Sequence, residues 1–219
     1  MAVDPDRPAG MLARGPWDPA DVGCTWREMP FQAGANAEAE ADAAIAALRD
    51  RGSPSHDGLA ARLVTAAATP GRLELELEPV RWSLRLREDA ADSLSALCVV
   101  RDADGRWLAG RRAAWVASWA GRWALGAGGT VEVGENPATT LERELQEEWS
   151  VAPAQLSAEA LIRIPSGLIL FVGMARVAAN TQVTIDPEHD AYAWWPPDPA
   201  DWPDEADPAL RLMGQLLAG

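Results

Sequence analysis

Glu144, Glu147 and Glu148 stand at i, i+3 and i+4 in a run with no glycine or proline between Pro137 and Pro153. On a helix that spacing puts three carboxylates at neighbouring positions of one face. Like charges so placed repel by about 0.2–0.5 kcal/mol per pair on an exposed helix, and by more once partly buried. Something cationic must compensate. Arg143, four residues before Glu147, supplies part of the charge. A hard divalent cation, which prefers oxygen ligands, would supply the rest. Upstream, Gly128-Gly129 lets the backbone approach a metal or a phosphate closely. A loop feeding a helix N-terminus also offers free N–H groups to an anion.

These groups need a helix and a loop to position them. Asn136 is a good N-cap and Pro137 is tolerated at the first helical position. Ala138, Leu141, Leu145 and Trp149 recur at three- and four-residue intervals, one apolar stripe that turns a helix over 137–149 against a core.

The bulk composition narrows the chemistry. The 219 residues carry a formal net charge of −14, and the 19 cationic side chains are all arginine. Without lysine there is no Schiff-base amine, no Walker-type phosphate-binding lysine and no lysine general base. The acidic balance argues against nucleic-acid or anionic-membrane partners, whose phosphates need a basic face. It leaves an anionic small molecule open, because a bound divalent cation reverses the local sign. Cys24 and Cys98 are too few and too far apart for a disulfide framework or a cysteine metal cluster. The start, Met1 to Asp6, has acids and prolines where a signal peptide needs basic and apolar segments. No apolar run approaches membrane-spanning length, so a cytoplasmic protein is expected.

Residues 1–33 are rich in Pro, Gly and Asp and read as irregular chain. Residues 35–51 are Ala-rich and read as a helix, stopped by Gly52 and Pro54; a second helix is expected over 57–68. Then the period changes to two. Leu73, Leu75 and Leu77 alternate with glutamates, and Trp82, Leu84 and Leu86 flank Arg85, with Arg87 following, which predicts two neighbouring strands with solvated charged faces. Asp89 to Asp92 reads as a boundary. Beyond it strands are expected at 94–101, 106–111, 122–125, 160–164, 168–177 and 190–195, and a last helix at 208–218. Asp104-Gly105 marks a hairpin turn between the first two. Strands and helices mix without a βαβ rhythm, an α+β chain whose mixed sheet is flanked by helices.

The segment Gly129–Val151 resembles the Nudix box, G-x5-E-x7-R-E-U-x-E-E-x-G-U with U a bulky aliphatic. Gly129, Glu135, Arg143, Glu144, Leu145, Glu147, Glu148 and Val151 match it, and Ser150 replaces the last glycine. The resemblance implies a Nudix-like α/β/α sandwich over residues 91–219, preceded by a helical and β-hairpin extension over 1–90. It implies a Mg²⁺-dependent hydrolase, with Mn²⁺ an alternative ion, that cleaves a diphosphate linkage in a nucleoside diphosphate derivative or related small molecule. Glu144 and Glu148 would be the principal metal ligands, with Glu147 on a further metal or through water, and the Gly128 carbonyl would complete the site. Glu135 would pair with Arg143 and hold loop and helix in register. The general base would be a box glutamate or an acid of a later loop, Glu188 or Asp190. Arg111 and Arg112 are candidates for an anionic substrate, and Trp115 and Trp119 for stacking on its apolar part.

Two other readings stand beside this one. A non-catalytic Nudix-like binding or regulatory module would use the extension as a partner surface, although such modules usually have degenerate boxes. An isopentenyl-diphosphate isomerase-like enzyme of the same superfamily would need a cysteine immediately before the box glycine, where this chain has Gly128. Whether the extension caps the substrate site or makes a homodimer is open at this level.

Overall fold

Period-two apolar patterning builds two sheets. The computed structural model describes residues 9–54 and 56–218. The segment Met1 to Asp6, read above as unlike a signal peptide, lies outside the described residues. The strands are β1 (Gly10–Trp17), β2 (Val22–Trp26), β3 (Leu59–Thr69), β4 (Arg72–Arg81), β5 (Leu94–Asp102), β6 (Trp107–Arg112), β7 (Trp123–Leu125), β8 (Ala127–Thr130), β9 (Gln155–Arg163), β10 (Ile169–Val177) and β11 (His189–Trp195). The helices are α1 (Ala35–Asp50), α2 (Pro137–Trp149) and α3 (Pro208–Ala218).

The larger sheet runs β1-β9-β10-β5-β6-β11, with β8 added to β5 and β7 to β6. β5 and β10 are parallel and the other pairs antiparallel, so the sheet is mixed. Alternation along β5 decides what lies on each side. Ala96, Cys98 and Val100 join Phe171 and Ala175 under Leu141, Leu145 and Trp149 of α2. Val99 faces the other way, with Val172, Met174, Trp107, Trp195 and Trp202, and is covered by Leu210 of α3. This is the expected α/β/α sandwich. Leu141 and Leu145 are fully buried, each worth about 1.5–3 kcal/mol relative to exposure, so the stripe that carries the glutamates is also the anchor of α2.

The smaller sheet, β2-β4-β3, belongs to the extension. Its apolar face, Leu63, Leu73, Leu75 and Leu77, merges into the core under α2. β1 goes further and pairs with β9 as an edge strand of the larger sheet. α1 packs with Ala60, Val80 and Leu84 in a separate small cluster.

Three expectations are corrected. Residues 57–68 do not form a second helix: they are β3, the partner of β4 in a hairpin closed at Gly71, whose φ is +79°. The helix preference of the alanines, a few tenths of a kcal/mol per residue at about 0–0.7, is outweighed by the ladder. Residues 82–86 are a 3₁₀ turn rather than a strand. β4 runs through Pro79 to Arg81, and Asp57 then accepts the Ser83 N–H at 3.0 Å and bends the chain away. Residues 1–33 are not wholly irregular, since they contain β1 and β2. β1 tolerates Pro16 because it lies at a sheet edge, where a missing N–H costs no ladder bond. The other predicted elements are present, with β9 longer than expected and β8 emerging within the Gly-rich lead into the box.

Candidate active site

α2 begins at Asn136, whose side-chain oxygen accepts the Ala138 N–H at 2.9 Å. The same side chain donates to the Val22 carbonyl of β2 at 2.8 Å. The loop before it is held from the extension at further points. Trp26 Nε1 donates to the Glu135 carbonyl at 3.2 Å, and the Ala61 N–H to the Val131 carbonyl at 3.0 Å. Trp82 Nε1 and Arg85 Nη1 both donate to Thr130 Oγ1, at 3.1 and 2.7 Å. Loop 130–136 therefore owes its place to residues of β2, β3 and the 3₁₀ turn.

The helix ends at Ser150, which adopts φ 54° and ψ 38° while its N–H donates to the Gln146 carbonyl. Serine thus takes the left-handed conformation that glycine would take more cheaply, and the exit geometry is kept.

Arg143 organises the carboxylates. Its Nε and Nη2 meet both oxygens of Glu135 at 3.0 and 3.1 Å, and Nη1 reaches Glu144 at 2.8 Å and Glu147 at 3.1 Å. Nη2 also donates to the Thr130 carbonyl at 3.1 Å. Glu144 and Glu148 are buried, whereas the Glu147 side chain is 59% exposed. A Cβ on Gly129 would lie 2.0 Å from Glu144 Oε1, so glycine is what lets that carboxylate lie against β8. The Gly128 N–H points at Glu148 Oε1 from 3.4 Å.

From the other side, Arg112 at the end of β6 lies 3.6 Å from Glu148 and donates to Glu188 at 2.8 Å. His189 is buried, its ring 4.6 Å from that of Trp149, its Nδ1 3.1 Å from Asp186 and its Nε2 3.9 Å from Glu148. Burial, with Arg112 adding to it, holds the His189 pKa below the ordinary imidazole value despite Asp186.

Burial raises the Glu144 pKa to about 7, with Glu147 and Glu188 adding to it and Arg143 opposing. Glu148 is pushed well above the carboxylate range by burial, again against Arg112. Glu148 Oε2 is buried with no hydrogen-bond partner. Among the described residues no group of three or more His, Cys, Asp or Glu side chains is gathered as a ready metal cage, and Glu147 turns to Arg143 and solvent. What is present is two buried acids short of positive charge, one with an orphaned oxygen, beside a glycine that leaves them room. That donor set fits a hard divalent cation.

A match to the family described as NUDIX domain covers residues 92–216. The chain belongs to the Nudix family. Among solved structures, the MutT protein from Methanosarcina mazei Go1 is 25% identical over 47% of this chain and 75% of its own, with a TM-score of 0.40. The NUDIX domain of Shewanella oneidensis NrtR, complexed with ADP ribose, is 20% identical over 51% of this chain and 77% of its own, TM-score 0.43. A C. elegans Ap4A hydrolase is 21% identical over 56% of this chain and 92% of its own, TM-score 0.44. No curated protein matches the sequence.

Within this Nudix chain the structure brings Glu135, Arg143, Glu144, Glu148, Gly128 and Glu188 together and leaves Glu147 at the rim. Asp190 does not join them: it pairs with Arg111 at 2.6 Å, both side chains nearly half exposed. Trp115 and Trp119 lie in the loop between β6 and β7, Trp115 half-buried and Trp119 exposed with Arg122 5.6 Å above its ring. Arg112, weighed with Arg111 for an anionic substrate, and His189, beside Glu188, stand at the cluster, and so do Asp186 and Arg85, which spacing did not single out. No helix among the described residues is long and apolar enough to cross a membrane.

Proposed function

We propose that this Nudix protein is a Mg²⁺-dependent hydrolase that cleaves a diphosphate linkage in a nucleoside diphosphate derivative or related small molecule. One observation carries the reading: Glu144 and Glu148, one helical turn apart, are both buried and underneutralised, and Glu148 Oε2 has no hydrogen-bond partner. A module that binds no cation would have no reason to keep that arrangement, which costs stability when no cation is bound.

In this reading Glu144, Glu148 and the Gly128 carbonyl hold Mg²⁺, with Glu147 serving a further ion or a bound water. The ion, with Mn²⁺ as a substitute, would neutralise charge on the diphosphate and lower the pKa of a bound water. Glu135 fixes Arg143, and Arg143 fixes the rotamers of Glu144 and Glu147. Glu188, tied to Arg112, is the later-loop acid that faces the cluster, so of the two acids expected there it is the better placed to accept a proton from the attacking water. Asp190, paired with Arg111 at the surface, is not. Trp115 and Trp119 would meet the part of the substrate beyond the phosphates. Residues 91–219 would form the Nudix domain and residues 1–90 an extension that braces it.

The test is product analysis by mass spectrometry with Mg²⁺ and a panel of nucleoside triphosphates, ADP-ribose, nucleotide sugars, dinucleotides and isoprenyl diphosphates. Cleavage across a diphosphate that is abolished by EDTA and by Glu144→Gln/Glu148→Gln supports the reading. Metal-dependent binding of one panel member without turnover would favour a sensor module instead.

A further inference from the structure

Arg85 lies in the extension, yet its side chain ends at the box. Its Nη1 donates to Thr130 Oγ1 at 2.7 Å, and its guanidinium sits 5.7 Å from the Trp82 ring centroid. Trp82 donates to the same hydroxyl at 3.1 Å, so a ring and a hydrogen bond fix the head of Arg85 beside the residue that follows Gly129. Its electrostatic neighbours are Glu144 and Arg112.

The charge is poorly compensated. Arg27, Arg62, Arg81 and Arg87 of the same extension each reach a carboxylate. Arg85 reaches none within 4.0 Å among the described residues. Burial pushes its pKa down to about 10, with Arg112 adding to the shift and Glu144 opposing it. It therefore remains a cation at neutral pH. A half-buried guanidinium with no carboxylate in contact is stabilised by an anion that arrives from outside. Two arginines, Arg85 and Arg112, thus flank the buried acids, and a guanidinium is suited to phosphate oxygens.

We propose that Arg85 is a substrate-binding residue that the extension contributes to the site, where it receives phosphate oxygens of the diphosphate that the cation does not hold. The proposal rests on the hydrolase reading above. It gives the extension a second task besides bracing loop 130–136: Arg85 closes the phosphate subsite beside Thr130.

The test is calorimetric titration of methylenediphosphonate, a diphosphate that cannot be hydrolysed, into the full chain with Mg²⁺. Wild type, Arg85→Ala, Arg85→Lys and Arg85→Gln are compared, with Mg²⁺ alone titrated into each. Losing a charge-assisted contact predicts binding weakened about 10–100-fold in Arg85→Ala. Arg85→Lys should recover part of it, and any fall in Tm or Mg²⁺ affinity from the lost Thr130 bond should be much smaller than the loss of diphosphonate binding. On any hydrolysed panel substrate, KM should rise more than kcat falls. Arg85→Gln keeps a donor for Thr130 without the charge, so it stands in if Arg85→Ala does not fold, and it should bind as weakly. Wild-type affinity in Arg85→Ala and Arg85→Gln would overturn the proposal and leave the hydrolase reading intact. Equal losses in Mg²⁺ binding and Tm would overturn it in favour of a strut. Failure of wild type itself to bind the diphosphonate would sink both.

Discussion

Arg143 meets Glu135 through two parallel hydrogen bonds of 3.0 and 3.1 Å, and the same guanidinium reaches Glu144 at 2.8 Å. Burial raises the Glu135 pKa, but the bonds from Arg143 outweigh it and hold the carboxyl below the usual range. Loop 130–136 and α2 are therefore coupled through one side chain. Arg143→Lys keeps the charge but loses the planar fork. It should cost about 2 kcal/mol in urea denaturation. A double-mutant cycle with Glu135→Gln should return a coupling above about 0.5 kcal/mol. Additive effects would show that loop and helix are positioned independently.

Ser150 sits in the left-handed region at φ 54°. That conformation costs a residue with a Cβ about 1–2 kcal/mol, and glycine avoids it. Glycine gains more freedom on unfolding, which offsets part of the benefit. Ser150→Gly should raise unfolding free energy by about 0.5–1 kcal/mol and leave the carboxylates where they are. An unchanged or lowered value in chemical denaturation would mean that serine makes a compensating contact.

The chemistry-bearing helix was legible because its signals agree: cap, proline, apolar stripe and carboxylate spacing all point to α2. Six strands of the larger sheet were legible for a similar reason, since their runs are apolar and bounded by turn residues, whereas β1 and β8 were not. What escaped depended on pairing and packing rather than on local pattern. β3 has alanines that favour a helix, and it is a strand because β4 lies beside it. Arg111 and Arg112 were both candidates, and only the structure decides between them: Arg112 turns to Glu148 while Arg111 turns to Asp190. His189 was hidden by a register shift. Strict alternation along β11 would put it on the face of Ala191 and Trp195, but an irregularity between His189 and Ala191 turns it toward Trp149. Arg85 could not have been found by spacing at all, because its relation to Thr130 spans two sheets.

Asp57 links acid stability to the turn that delivers Arg85. Its Oδ2 accepts from Arg81 Nε at 2.9 Å and Nη2 at 2.5 Å, and its Oδ1 accepts the Ser83 N–H at 3.0 Å. Burial alone would raise its pKa, but these bonds win and lower it. A depressed folded-state pKa gives stability that is complete above the unfolded value of about 3.9 and is lost as pH falls through the folded value. Asp57→Asn should therefore be less stable than wild type at neutral pH, with the gap closing below about pH 4. Urea unfolding at a series of pH values checks this, and a gap that stays constant would show that the charge of Asp57 is not what matters.

Removing the buried charges should have opposite effects with and without metal. In the absence of a cation, Glu144 and Glu148 are held at raised pKa by burial, which is a cost to the folded state. Glutamine at both positions removes that cost. Arg143 and Arg112 are not stranded by the change, since Arg143 keeps Glu135 and Glu147 and Arg112 keeps Glu188. In EDTA at neutral pH, Glu144→Gln/Glu148→Gln should melt at or above the wild-type Tm. Mg²⁺ or Mn²⁺ at about 100 times its Kd should then stabilise wild type by about 2.7 kcal/mol and leave the variant unmoved. A crossing of the two melting temperatures on adding metal is the expected signature in thermal denaturation. If the variant melts lower in both conditions, the two carboxylates are structural partners of their arginines, and the case for a cation between them fails.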